Sequence, residues 1–134
     1  MIFTIEDDRI QGHLQFDKLS ISPNENVGYR PFELFVSSLV GCSGTLLRTI
    51  LTKKRINYSN IELEASAVRN PTMANRIEKI VITANVQSDR PIESQTAEKI
   101  AYLVVKNCGM IQSVNGAIDV SFIVQSLQHN GDNH

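Results

Sequence analysis

The chain has 134 residues, 42% of them hydrophobic, and a formal net charge of −1. That length suits one compact domain with a usable core. The near-balanced charge leaves no broad basic footprint for nucleic acid. Residues 1–16 carry acidic side chains and no apolar run of the kind a secretory signal needs, which predicts a cytoplasmic protein. In that compartment paired thiols stay reduced unless they are catalytic.

Residues 2–5 and 10–16 read as a hairpin. Ile10, Gly12, Leu14 and Phe16 alternate with Gln11, His13 and Gln15, the period of a half-buried strand. Glu6, Asp7 and Asp8 supply the turn, and Leu19 with Ile21 suggests a short third strand. Residues 22–28, S-P-N-E-N-V-G, are a loop by composition. Pro31 then opens a helix at its first position, where the missing N–H costs nothing. This helix is predicted to run to about Arg55, with Lys53, Lys54 and Arg55 complementing its C-terminal dipole. Its apolar run is interrupted by Glu33, Arg48 and small residues such as Gly41 and Gly44, so it reads as a buried helix rather than a membrane span. Two strands follow at 61–68 and 77–86. Pro91 is taken as the start of a second helix carrying Ile100, Leu103, Val104 and Cys108 on one stripe. A last strand is predicted at 118–124. Strands in blocks separated by single helices predict an α+β fold rather than a doubly wound parallel sheet. Residues 1–128 form the domain in this reading, and the polar tail at 129–134 is predicted to be disordered.

Cys42 and Cys108 are the chemically distinctive residues. Neither belongs to a C-x-x-C pair, so neither reads as a zinc knuckle or a thioredoxin-type motif. His13, His129 and His134 do not cluster with cysteine or carboxylate, and neither a metal site nor a cofactor is predicted. Two thiols on two helices can meet and do redox chemistry. They can equally be small core residues, since buried unreactive cysteine is common.

Three features together resemble the OsmC/Ohr superfamily, in its OsmC-like branch. These are R-P-F-E-L-F-V-S-S-L-V-G-C-S-G on the first helix, N-C-G-M-I-Q-S-V around Cys108, and the strand–helix order. The resemblance covers nearly the whole chain. It implies antiparallel sheets wrapped around two long helices in an intertwined homodimer, with thiol sites at the dimer interface. It also implies reduction of organic hydroperoxides, one cysteine being oxidised and then closing a disulfide with the other. Two positions depart from the family pattern. Gly109 stands where a proline is usual, and Phe32 stands where the hydroperoxide-resistance branch has a glutamate, with Glu33 one residue on.

In that reading Cys42 is the peroxidatic thiol and Cys108 the resolving one. Attack on a peroxide needs a thiolate. Cys42 lies too deep in its helix for the N-terminal dipole to help, so a cation is expected, with Arg30 and Arg9 as candidates. Cys108 is read as ending its helix, with Gly109 as the residue just past it. The negative dipole end disfavours a thiolate there, which suits a resolving role. Nine residues at ~100° each place Glu33 on the helix face opposite Cys42. Glu33 therefore serves a partner chain's cysteine or simply favours a helix N-terminus. Phe32, Phe35, Leu39 and Met110 are candidates to wall an apolar substrate pocket, with core packing as the alternative. The leading expectation is a homodimeric dithiol peroxidase acting on apolar hydroperoxides and recharged by a dithiol reductant, with no membrane partner. The competing expectation is a non-catalytic protein of the same fold that binds a small apolar molecule. A dimer that mainly contacts another protein is a third, which no sequence feature favours.

Overall fold

The structure is a computed structural model and describes residues 1–128. The tail expected at 129–134 lies outside the described residues. In chain order the elements are β1 (Ile2–Ile5), β2 (Ile10–His13), β3 (Lys18–Ile21), α1 (Pro31–Lys53), β4 (Tyr58–Asn70), β5 (Arg76–Ser88), α2 (Ser94–Asn107), α3 (Gly109–Ser113) and β6 (Asp119–Gln128). This is the expected α+β order with one short helix added. The chain divides into two compact units, Met1–Ser38 and the part from Leu39 onward, with the boundary inside α1.

The first unit is a three-stranded antiparallel meander, β1-β2-β3. Ile5 pairs with Ile10, and the Glu6 N–H closes the turn on the Arg9 carbonyl at 2.8 Å. β2 stops at His13 rather than at the expected Phe16. The β1 register ends with Ile2 opposite His13, so later residues meet no strand on that side. They form the turn into β3 instead, and Phe16 is fully exposed despite its place in the alternation. After β3 the loop folds back, with the Tyr29 N–H donating to the Ser20 carbonyl at 2.9 Å. Gly28 permits that approach: a Cβ there would lie 2.7 Å from the Ser20 carbonyl oxygen.

The second unit contains the sheet β4-β5-β6. β4 and β5 form a long antiparallel hairpin, from Tyr58 opposite Ser88 to Asn70 opposite Arg76. β5 and β6 are parallel, so this sheet is mixed rather than wholly antiparallel. The cause is the connection: α2 and α3 carry the chain across instead of a tight turn, and a crossover returns the next strand parallel. On the central strand β5, Ile80, Ile82, Ala84 and Val86 are fully buried at alternate positions. α1 contributes Leu39, Ser43, Leu47 and Leu51 at four-residue spacing, and α2 contributes Ala97, Ile100 and Val104. Each large aliphatic side chain so buried contributes roughly 1.5–3 kcal/mol. α2 begins at Ser94, three residues after the expected Pro91, and Glu93 at its N-cap makes no side-chain capping bond.

α1 ends without glycine. Arg55 takes the left-handed conformation at φ 57°, its N–H donates to Thr52, and the Ile56 N–H donates to Leu51, both at 3.0 Å. Those two bonds satisfy carbonyls that the helix end would otherwise leave free. α1 is less buried than its composition suggests. By length and composition it is the one helix among the described residues that could cross a membrane, and only 22% of its most apolar 18-residue stretch is buried. One stripe packs inside its own chain, and much of the remaining apolar surface does not.

Candidate functional site

The site is built at the junction of α2 and α3. Cys108 leaves the α2 helix in an extended conformation (φ −80°, ψ 111°), although its N–H still donates to the Val104 carbonyl at 2.9 Å. α3 starts at once with Gly109, and its first internal bond runs from the Gln112 N–H to the Cys108 carbonyl at 2.9 Å. The N–H groups of Gly109, Met110 and Ile111 therefore have no acceptor within α3. The amides of this stretch are among the influences on both thiols: Met110 and Gly109 act to lower Cys42, and Ile111 and Met110 act to lower Cys108. This differs from the expected helix end. Gly109 is not a left-handed residue closing α2, because among the described glycines positive φ occurs only at Gly116. The extended Cys108 makes the break itself and launches a new helix in place of a left-handed cap.

Both thiols are free, Cys42 half-buried and Cys108 fully buried. The Cys42 thiol is held below its ordinary pKa, first by the Met110 N–H, then by the Cys108 thiol, and also by the Gly109 N–H, against a cost of burial. The Cys108 thiol is pushed up, first by burial and then by the hydrogen bond it donates to Cys42. Cys42 is thus shifted toward the thiolate and Cys108 toward the thiol. The sequence suggested a guanidinium for this role. The donors that lower Cys42 are backbone amides and a neighbouring thiol.

The candidate cations have partners of their own. Arg30 Nε lies 3.2 Å from Glu33 Oε1, so these two candidate residues come together as an exposed ion pair. Arg9 Nε lies 2.9 Å from Asp8 Oδ1, and its Nη1 donates to Ser20 Oγ at 3.4 Å. Phe32 is half-buried and Phe35 is 36% exposed. Leu39, expected in the pocket wall, is 1% exposed within the core, whereas Met110 is 44% exposed. One contributor escaped sequence reasoning altogether: the run of backbone donors after Cys108. Main-chain N–H groups have no residue signature, and only the break in the helix exposes them. A second is Gln112, whose side-chain amide donates to the Val105 carbonyl at 2.9 Å and ties α3 to the end of α2. A groove of about 530 Å³ is lined by Leu46, Ile50, Leu103 and Asn107, with Lys53 and Lys54 also on its wall. Leu46 is one helical turn from Cys42, and Asn107 immediately precedes Cys108. Among the described residues no group of three His, Cys, Asp or Glu could hold a metal ion.

A family model described as OsmC-like protein matches residues 23–122. The chain belongs to this OsmC-like family. The match spans both cysteines and all of α1, α2 and α3. Solved structures agree on the fold of this OsmC-like chain. A hypothetical protein from Aquifex aeolicus superposes with a TM-score of 0.82 at 18% identity, covering 96% of this chain and 95% of that one. An OsmC-like protein from Mycoplasma pneumoniae gives 0.71 at 13% identity, with 90% and 88% covered. An organic hydroperoxide resistance protein from Elizabethkingia anophelis gives 0.72 at 14% identity, with 94% of each chain covered. At such identities the likeness establishes the fold. No match was found among curated proteins.

Proposed function

We propose that the protein is a thiol-dependent peroxidase for organic hydroperoxides, with Cys42 as the attacking sulfur and Cys108 as the resolving one. The observation that carries this reading is the pair itself. The Cys42 thiol is lowered, first by the Met110 amide and then by the Cys108 thiol, whereas burial raises the Cys108 thiol. A thiolate so held is a competent nucleophile, and its partner is already adjacent.

In the first step the Cys42 thiolate attacks the outer oxygen of ROOH. The S–O bond forms as the O–O bond breaks. RO⁻ leaves, takes a proton and departs as ROH, and Cys42 becomes a sulfenic acid. In the second step Cys108, after losing its proton, attacks the Cys42 sulfur. A disulfide forms and the hydroxyl leaves as water. An external dithiol then reduces the disulfide by exchange and is itself oxidised. Burying an alkyl tail contributes ~0.8 kcal/mol per methylene, which favours organic hydroperoxides over hydrogen peroxide. The groove with Leu46, Ile50 and Leu103 on its wall offers apolar surface of this kind. Arg9, Arg30 and Glu33 keep a secondary place in this reading. Any guanidinium that serves Cys42 adds to donors already present.

The working form in this reading is a homodimer in a reducing cytoplasm. The support is α1: a 23-residue helix with so little of its apolar stretch buried calls for a second copy. The groove also favours the second reading, a non-catalytic binder of a small apolar molecule. One experiment separates the two. Turnover of cumene hydroperoxide and of hydrogen peroxide is measured with dithiothreitol in wild type and Cys42→Ser. The expected result is faster consumption of the organic substrate, reduced to background in the variant. Equal consumption by both proteins would leave only the binding reading.

A further inference from the structure

We propose that Asn115 is a site of spontaneous covalent modification, where the backbone nitrogen of Gly116 closes on the Asn115 side-chain amide and leaves aspartate or isoaspartate at position 115. The inference is independent of any role of the two thiols.

The residue pair is the first reason. Ring closure needs a backbone N–H on the following residue and room around it. Glycine offers both, because it has no side chain to obstruct the approach. Asn115 is followed by Gly116, whereas every other asparagine among the described residues is followed by a bulkier residue or by Pro71, which has no N–H. The fold is the second reason. Asn115 and Gly116 lie exposed in the turn between α3 and β6. The Asn115 side chain makes no hydrogen bond to a described residue. By contrast, the side-chain amides of Asn70, Asn85 and Asn107 donate to Glu78, Glu64 and the Leu103 carbonyl at 3.0, 2.8 and 2.8 Å. The turn is closed by the neighbouring amides. The Asn115 N–H donates to the Gln112 carbonyl at 3.2 Å, and the Ala117 and Ile118 N–H groups both donate to the Val114 carbonyl at 3.0 Å. The Gly116 N–H takes no part in that set. Gly116 stands at φ 89°, and a Cβ built there meets nothing within 4 Å. The attacking nitrogen and the amide it attacks are thus adjacent, unbonded and open to water.

In the chemical step the Gly116 nitrogen loses its proton to base and attacks Cγ of Asn115. The new C–N bond closes a five-membered succinimide as the Cγ–Nδ2 bond breaks, and Nδ2 takes a proton and leaves as ammonia. Water then adds to either ring carbonyl. Opening one C–N bond restores the ordinary backbone with an aspartate side chain. Opening the other carries the backbone through the side chain as isoaspartate. Neither oxidant nor reductant is needed. Both products turn a neutral side chain into a carboxylate, which is charged at neutral pH. The isoaspartate also inserts one carbon into the connection that delivers β6 parallel to β5.

The test ages the intact protein in warm, mildly alkaline buffer made with heavy-oxygen water, and follows position 115 by peptide mass spectrometry. The expected result is a mass shift from amide to acid that includes one heavy oxygen. Aspartate and isoaspartate should both be present, and the rate should rise with pH. In Asn115→Gln the shift should be lost, because the longer side chain would have to close a six-membered ring. The exposed Asn115 side chain has no described partner to lose, so this variant keeps the fold. The same chain in urea supplies the reference rate. Position 115 should convert in the folded protein at a rate comparable to that in urea, while Asn85 and Asn107 stay amides in the folded protein because their bonds hold them. A folded protein that keeps its amide at position 115 while the unfolded chain converts overturns the proposal, since the turn then withholds the nitrogen. So does an acid product without isoaspartate, which marks direct hydrolysis and not ring closure. The assay involves neither thiol nor peroxide, so failure of the peroxidase reading and failure of this one remain distinguishable.

Discussion

The two units each hold paired titratable groups, and they hold them by different means. In the first, Arg9 meets Asp8 and Arg30 meets Glu33 at the surface, open to water on both sides. Each pair perturbs its own members, lowering Asp8 and Glu33 through the neighbouring guanidinium. Water and salt screen such pairs, so their net worth is small. In the second unit the Cys42 thiol is lowered, first by the Met110 amide, and the fully buried Cys108 thiol is raised, first by burial. There the two directions set the sulfurs apart from each other. Exposed ion pairs shift both partners toward their charged forms, whereas the thiol pair is shifted in opposite directions.

The most damaging change expected is in the core that supports the thiol pair. Ile82→Ala removes a fully buried side chain from the central strand and should cost about 2–5 kcal/mol in urea unfolding. The contrast with the first unit sharpens if Phe16→Ala, at a fully exposed side chain, leaves the midpoint unchanged.

A step smaller is the Cys108 thiol as donor. Cys108→Ser keeps an O–H to offer Cys42, whereas Cys108→Ala does not. Both variants lose disulfide closure. Only alanine is expected to slow Cys42 alkylation near neutral pH, by about tenfold, the scale of a hydrogen bond to a charged group. Equal rates in the two variants would detach Cys42 acidity from its neighbour.

The pH dependence follows from the two directions. Cys42 is lowered, so it contributes stability that is present above the ordinary thiol range and lost as pH falls through its folded value. Cys108 is raised, so it contributes stability that is fully present below the ordinary value and lost as pH rises through its folded value. The two act in opposite senses, which makes unfolding a poor reporter and labelling a good one. Cys42 should label faster than Cys108 near neutral pH, with the ratio shrinking as pH rises past the ordinary thiol range. A ratio near one at neutral pH would return both cysteines to inert core residues.

The smallest effects are expected from the first unit. Arg9→Ala and Arg30→Ala should each alter Cys42 labelling at neutral pH less than Cys108→Ala does. A larger loss in either would restore the guanidinium to the centre of the site and break the contrast between the units.

Much of this protein was legible in the residues. Alternation in β1 and β2, the apolar stripe of α2 and the proline opening α1 are local signals, because side-chain period and φ restriction act within a few residues. They were enough for the α+β order and for the family. They failed where pairing decides. Phe16 continues the alternation of β2, yet no strand remains opposite it. The parallel register of β6 on β5 depends on the crossover and not on either strand's residues. Sequence alone named Cys42 and Cys108, since thiols are recognisable wherever they stand. It could not tell how Cys42 is kept acidic. The influences that lower it are first the Met110 amide, next to a one-residue break at Cys108, and then the Cys108 thiol. Every residue but proline carries such a group, so only the path of the backbone decides which ones face a sulfur.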